Sequence, residues 1–192
     1  ARLKKGETLI ADDIDNATVL FADLTEFTNI SANIDAKEIV SLLKIIFSKF
    51  DELCAVHSLE KIKTIGDSYM LAGGIPHPSA NHALTVAEMA LDMIDSLPEL
   101  NKTINQKFKI RIGINSGPLS AGIIGKKKFI YDLWGDTVNV ASRMESKGEA
   151  NKIAVSDATF QLLSNKYHFE KRELIDIPGK GNMQTYFLIS RK

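Results

Sequence analysis

The spacing of apolar residues changes several times along the chain, and each change marks an element. After a polar lead-in over residues 1–16, Ala17-Thr18-Val19-Leu20-Phe21-Ala22 is an apolar, partly β-branched run ending at Asp23. That pattern predicts a short buried strand with Asp23 at its carboxyl end. From Asp35 to Val56 the residues Ile39, Leu42, Leu43, Ile46, Phe47, Phe50 and Leu53 recur at three- and four-residue steps, which predicts an amphipathic helix packed on a sheet. Leu59 to Ile65 alternates polar and apolar, Gly66-Asp67 supplies a turn, and Ser68 to Gly73 returns, giving a hairpin with an aspartate at its tip. A second helix is expected from about Ser79 to Leu97, ended by Pro98. Phe108 to Asn115 alternates as a strand, Gly117-Pro118 reads as a turn, and Leu119 to Gly125 as the returning strand.

This order is βαββαβ-like and predicts an α+β fold: a ferredoxin-like core with a mostly antiparallel sheet and flanking helices. The remainder extends it with C-terminal strands and helices. A strand is expected to Tyr131, a helix from Thr137 to about Ser146, and a strand at Lys152 to Val155. A short helix capped by Ser156 and a closing strand pair around Phe169–Ile175 and Thr185–Ile189 follow. With 192 residues, no internal repeat and no linker, the chain reads as one domain, 1–192.

Charge narrows the possible partners. The 24 basic and 24 acidic side chains cancel, so no global field draws the chain to nucleic acid or to an anionic membrane, and phosphate chemistry must rely on local charge. The single cysteine, Cys54, sits among apolar helical residues and is expected to be a buried structural thiol, which fits a reducing, cytoplasmic setting. No apolar run is long enough to cross a bilayer. The start at Ala1 reads as a piece of a longer protein whose membrane or regulatory segments would lie upstream. His57, His77, His82 and His168 lack metal-ligand spacing.

Two groups of residues carry candidate chemistry. Asp23 at a strand end and Asp67 at a hairpin tip would converge on neighbouring strands as hard oxygen ligands of the kind Mg²⁺ takes beside phosphates, although an aspartate in a Gly-Asp turn commonly just caps local backbone. In Asp132-Leu133-Trp134-Gly135-Asp136-Thr137-Val138-Asn139-Val140-Ala141-Ser142-Arg143, Asn139 and Arg143 stand four apart on one helix face, where an amide and a guanidinium can hold ribose and phosphate. Standing alone, that pair would more often be a solvated helix face with Arg143 in a surface ion pair.

Val19–Asp23, Lys61–Met70 and Trp134–Ser146, in this order, together with Gly179-Lys180-Gly181 ahead of Thr185-Tyr186-Phe187, resemble the class III nucleotidyl cyclases over nearly the whole chain. The resemblance implies that Asp23 and Asp67, completed by the backbone carbonyl of Leu24, bind two Mg²⁺ (or Mn²⁺) ions per active site. It also implies that Asn139 orients the ribose, Arg143 stabilises the reacting phosphate and Lys180 contacts phosphate. Lys63 and Asp132 match the base-reading positions: a donor and an acceptor together complement the ring N1 and 6-amino group of adenine. Guanylyl cyclases carry glutamate and a small residue such as cysteine there. The implied activity is that of an adenylyl cyclase, converting ATP to 3′,5′-cyclic AMP and pyrophosphate. The implied assembly is a head-to-tail homodimer in which the aspartates of one chain face Lys63, Asp132, Asn139 and Arg143 of the other.

Two departures stand out. Glu26 replaces the family's glycine after the first aspartate, and Pro118 stands where some members carry a phosphate-binding arginine. The basic run Lys126-Lys127-Lys128 is read as a solvated turn. A guanylyl cyclase and a catalytically silent dimerisation or nucleotide-sensing module are the competing readings.

Overall fold

The computed structural model describes residues 10–25, 27, 31, 34–124 and 129–192. Glu26 and Lys126–Lys128 lie outside the described residues. The elements in order are β1 (Ile10–Thr25), α1 (Ala36–Val56), β2 (Glu60–Ile65), β3 (Ser68–Gly73), α2 (His82–Ile104), β4 (Lys109–Ile124) and β5 (Ile130–Trp134). They continue with α3 (Asp136–Ser146), β6 (Ile153–Ser156), α4 (Asp157–Leu163), β7 (Tyr167–Lys171), β8 (Ile175–Ile177), β9 (Gly181–Met183) and β10 (Thr185–Arg191).

The first six elements form the expected βαββαβ core. The main sheet runs β2-β3-β1-β4-β6-β10-β7, with β5 also paired to β4, and β8 and β9 form a separate hairpin. Every pairing is antiparallel except that of β4 with β6. The central strand β1 is flanked by β3 and β4, so its side chains are buried on both faces. Leu20, Ala22 and Leu24 enter the cluster covered by α1 and α2, whereas Ala17, Val19 and Phe21 enter the cluster on the other face, where Ala141 of α3 packs. Because side chains alternate along a strand, Asp23 shares the face of Val19 and Phe21, on the side of α3.

The same alternation runs through β4. Ile110, Ile112 and Ile114 join the α1/α2 cluster, which leaves Arg111, Gly113 and Asn115 facing α3. Gly113 is required there, because a Cβ on it would come within 1.9 Å of the Glu145 backbone nitrogen. Only a bare backbone lets α3 lie this close to the sheet.

Three expectations are corrected. First, β1 begins at Ile10, inside what reads as a polar lead-in, because its first residues pair with the far end of β4, from Ile10↔Ile123 to Ile14↔Leu119.

Second, Gly117-Pro118 is no turn: β4 is one strand of 16 residues. Its pairing with β1 jumps from Ile14↔Leu119 to Ala17↔Gly117, so Asp15 and Asn16 stand opposite Pro118 alone. A bulge of this kind is where a sheet tolerates a proline, which has no N–H to give to a ladder.

Third, Pro98 lies inside α2, which continues to Ile104. A proline within a helix costs about 3 kcal/mol. Continuing the helix buries Leu97 and Leu100, each contributing about 1.5–3 kcal/mol. The added turn also places Asn101 to clamp the start of β4, its side chain bonding both Phe108 N–H at 2.9 Å and Phe108 carbonyl at 2.8 Å.

Other expectations hold. Ser156 caps α4 by accepting from Thr159 N–H, at 3.3 Å. Cys54 is buried, its Sγ 3.3 Å from the Leu59 carbonyl, and burial pushes its thiol up to about 11. Among the described residues, no helix is long and apolar enough to cross a membrane.

Candidate active site

Asp23 lies near the end of β1 between buried Ala22 and Leu24, paired in register with Ser68 on one side and Arg111 on the other. Asp67 sits in the β2–β3 turn next to Ser68, and the Leu24 N–H donates to the Asp67 carbonyl at 3.4 Å. The two aspartates therefore come together as the sequence predicts. Burial raises the Asp23 carboxyl above its ordinary value, the neighbouring charge of Asp67 raises it further, and Arg111 partly offsets both. Two half-buried carboxylates that repel one another, beside a backbone turn, form a hard-oxygen set suited to a divalent cation, which relieves that repulsion. Among the described residues no group of three or more His, Cys, Asp or Glu side chains could hold a metal alone. Remaining ligands would have to come from backbone, water or a substrate phosphate.

Sequence reasoning missed the groups behind Asp23. Arg111 donates through Nε to Glu145 Oε1 at 2.6 Å and through a terminal nitrogen to Asp23 Oδ2 at 3.2 Å. Glu145 is buried at the end of α3, and burial raises its carboxyl while Arg111 lowers it. The signal was present in the alternation Arg111-Ile112-Gly113-Ile114-Asn115, which puts Arg111 on the face that Asp23 shares.

The base-reading candidates also meet. The Lys63 ammonium donates to Asp132 Oδ2, and the other carboxylate oxygen accepts the Leu133 N–H at 2.9 Å. A bulge in β2 makes this possible. Lys61 pairs with Leu71 but Lys63 pairs with Met70, leaving Ile62 as the extra residue. In unbroken register Lys63 would oppose Tyr69, which belongs to the α1/α2 cluster; shifted by one, it opposes Met70, on the face that β5 also joins.

The third group lines a cavity of about 440 Å³ bounded by Asp136, Asn139, Ser142 and Arg143 of α3 and by Ile177 to Lys180 of the β8–β9 loop. Asn139 and Arg143 are exposed on the side of α3 away from the sheet. Lys180 reaches the cavity and pairs with Asp136 at 2.7 Å. Within one chain, then, the site residues form three groups: the aspartate pair with Arg111 and Glu145, the Lys63–Asp132 pair, and the α3 face with Lys180. A roomier groove of about 610 Å³ between α1 and α2 contains none of these residues.

Residues 9–190 match the family described as the adenylate and guanylate cyclase catalytic domain. The chain belongs to this family. It is 42% identical over 192 residues to an adenylate cyclase of Mycobacterium bovis and 44% identical over 190 residues to the soluble guanylate cyclase subunit beta-2 of Rattus norvegicus. It spans 43% and 28% of the lengths of these two relatives, while they cover 100% and 98% of the chain. Among solved structures, the guanylate cyclase domain of RhGC from Catenaria anguillulae in complex with GTP superposes with a TM-score of 0.91 at 36% identity, covering 94% of this chain and 100% of that one. The adenylyl cyclase CyaB from P. aeruginosa superposes with a TM-score of 0.90 at 25% identity, covering 95% of this chain and 97% of that one. Membership gives the fold and places the chain among nucleotide cyclase catalytic domains. Overall identity does not separate the two nucleotides, because both kinds of relative are equally similar.

Proposed function

We propose that this domain is an adenylyl cyclase, forming 3′,5′-cyclic AMP and pyrophosphate from ATP. The observation carrying the choice of nucleotide is the Lys63–Asp132 pair. An ammonium and a carboxylate side by side offer a donor for adenine N1 and an acceptor for its 6-amino group. Guanine presents the reverse, a ring N–H and a carbonyl oxygen, and would set donor against donor and acceptor against acceptor. Mismatches of this kind leave buried polar groups unpaired, which is how large discrimination arises.

In the reaction, the ribose O3′ forms a bond to the α-phosphorus as the bond from that phosphorus to the bridging oxygen breaks, and the hydroxyl proton is released. Asn139 fixes the ribose so that O3′ lies in line with the leaving oxygen. The Arg143 guanidinium meets the charge that grows on the α-phosphate, and Lys180 releases Asp136 to pair with the β- or γ-phosphate. Asp23, Asp67 and the Leu24 carbonyl would hold two Mg²⁺ or Mn²⁺ ions, whose chemistry is to acidify the 3′-hydroxyl and neutralise the triphosphate. No side chain acts as a nucleophile.

The site is completed between two copies of the chain, head to tail, with the aspartates of one facing Lys63, Asp132, Asn139 and Arg143 of the other. Exposure supports this reading. Asn139 and Arg143 are exposed, and large apolar side chains on the two strands that carry the base-reading pair are uncovered as well: Ile65 of β2 and Ile130 and Trp134 of β5, with Ile65 and Ile130 more than half exposed. Exposed apolar side chains on these strands are what a second copy would bury. A reducing, cytoplasmic setting completes the reading.

The test is turnover of ATP and GTP by the purified chain with Mg²⁺ or Mn²⁺ across a range of protein concentrations. Cyclic AMP formation that rises more than proportionally with protein is the expected result. A preference for GTP would make it a guanylyl cyclase, and no turnover of either nucleotide at any concentration would make it a silent module.

A further inference from the structure

The first turn of α3 is fastened to the sheet by a run of buried hydroxyls and one amide that the reaction itself does not use. Thr137 Oγ1 donates to the Pro118 carbonyl at 2.5 Å, and Asn115 Nδ2 donates to the Thr137 carbonyl at 3.0 Å. Behind Asn115, the Ser156 hydroxyl donates to Asn115 Oδ1 at 2.5 Å. From Ser156 the network passes through Thr159 (3.3 Å), Ser116 (3.0 Å) and Thr18 (2.8 Å) to His82 Nδ1 (2.7 Å). All seven residues are buried: none is more than 7% exposed. The path crosses from the start of α2 through β1, β4, β6 and α4 to α3.

Burial on this scale is not how a fold gains stability most readily, since a buried polar group left unpaired costs about 1–3 kcal/mol and apolar side chains of the same shape would pack without that risk. What a directional network adds is a fixed geometry. The strand accommodates it: a Cβ on Gly117 would come within 2.7 Å of Thr137 Oγ1, so glycine leaves room for that hydroxyl. The helix fastened in this way is only 11 residues long. Thr137 lies two residues before Asn139 and six before Arg143, and it is buried where they are exposed. A slide or rotation of α3 therefore moves both functional side chains together.

We infer that Thr137 and Asn115 are positioning residues, setting the register of α3 against β4 so that Asn139 and Arg143 meet the ribose and the reacting phosphate. Neither touches nucleotide. This rests on the roles given above to Asn139 and Arg143. A displacement of about 1 Å at a reacting group costs on the order of 10²-fold in rate, and ground-state binding, spread over base and triphosphate, is much less sensitive.

Thr137→Val keeps the shape and removes the hydroxyl, and Thr137→Ser keeps the hydroxyl. In steady-state kinetics with ATP, Thr137→Val should lower kcat by roughly tenfold or more while KM stays within about twofold, and Thr137→Ser should recover kcat to within about threefold. Should Thr137→Val not fold, Ser156→Ala, which frees Asn115 Oδ1, should give the same split at about threefold. The inference is overturned by an undiminished kcat in the folded variant, by a serine variant no better than the valine one, or by a loss of activity matched by the unfolded fraction in thermal denaturation. Asn139→Ala and Arg143→Ala, measured alongside, separate the failures. If they are inactive while Thr137→Val is undiminished, only the positioning inference falls. If both retain full turnover, the underlying reading of α3 falls.

Discussion

Arg111 joins Glu145 across the packed face of β4 and α3, Nε to Oε1 at 2.6 Å, and from that anchor its terminal nitrogen reaches Asp23 at 3.2 Å. The guanidinium therefore spans two carboxylates that burial would otherwise tend to protonate, and it links the end of α3 to the strand that carries a metal candidate. Its fork suits the arrangement, one nitrogen for each partner, in a way a lysine cannot copy.

Removing the guanidinium leaves Glu145 buried beside Asp23 and Asp67 with no counter-charge. Arg111→Ala should destabilise the fold by about 2 kcal/mol or more, because one partner of a buried pair is lost and the other stays desolvated. Arg111→Lys, keeping charge but not geometry, should fall between. Urea denaturation of the three proteins checks the order, and an alanine variant as stable as the parent would show that the bridge does not hold α3 in place.

Nucleotide choice should follow the Lys63–Asp132 pair alone. Replacing it by Lys63→Glu with Asp132→Cys reverses the pattern of donors and acceptors, and the ratio of kcat/KM for GTP over ATP should rise by about 10²-fold or more. The single Lys63→Ala variant should lose ATP turnover without gaining GTP turnover, since it leaves Asp132 unpaired. An unchanged GTP/ATP ratio in the double variant would place base selection elsewhere.

Complementation tests the shared site directly. Mixed one to one, Asp67→Ala and Asn139→Ala chains that exchange freely form mixed dimers in about half of cases, each with one intact site and one doubly impaired site. The mixture should therefore show about one quarter of the parental activity per chain, while each variant alone shows almost none. A mixture no more active than its components would mean that each chain builds its site by itself.

How much of this could be read from the sequence depended on the length over which each signal acts. The β2–β3 hairpin, α1 and the Ser156 cap are local and were legible as periodicity and turn chemistry. Pro98 and Gly117-Pro118 were misread because both local rules are overridden by distant partners, the core beneath Leu97 and Leu100 in one case and the bulge opposite Asp15 and Asn16 in the other. The candidate residues Asp23, Asp67, Asn139 and Arg143 were found from motifs. Arg111 and Glu145 were not, since their pairing exists only once β1, β4 and α3 are stacked. The bulge at Ile62, which turns Lys63 toward Asp132, is invisible to a period-two reading of β2 for the same reason.

The buried network also predicts a pH dependence of stability. His82 is 7% exposed, and burial holds its imidazole below the ordinary value, so it is neutral in the fold at pH 7. In the unfolded chain it titrates near about 6.5. As pH falls below that value the unfolded state binds a proton that the folded state refuses, so stability rises with pH in this window and is lost on acidification. The effect should be absent above about pH 7.5, where both states are neutral. Denaturant midpoints at pH 7.5 and pH 5.5 measure it. His82→Gln, which keeps a polar partner for Thr18 without a titrating ring, should have a smaller difference between the two midpoints than the parent. An equal difference would mean that other groups, and not this imidazole, set the acid sensitivity of the fold.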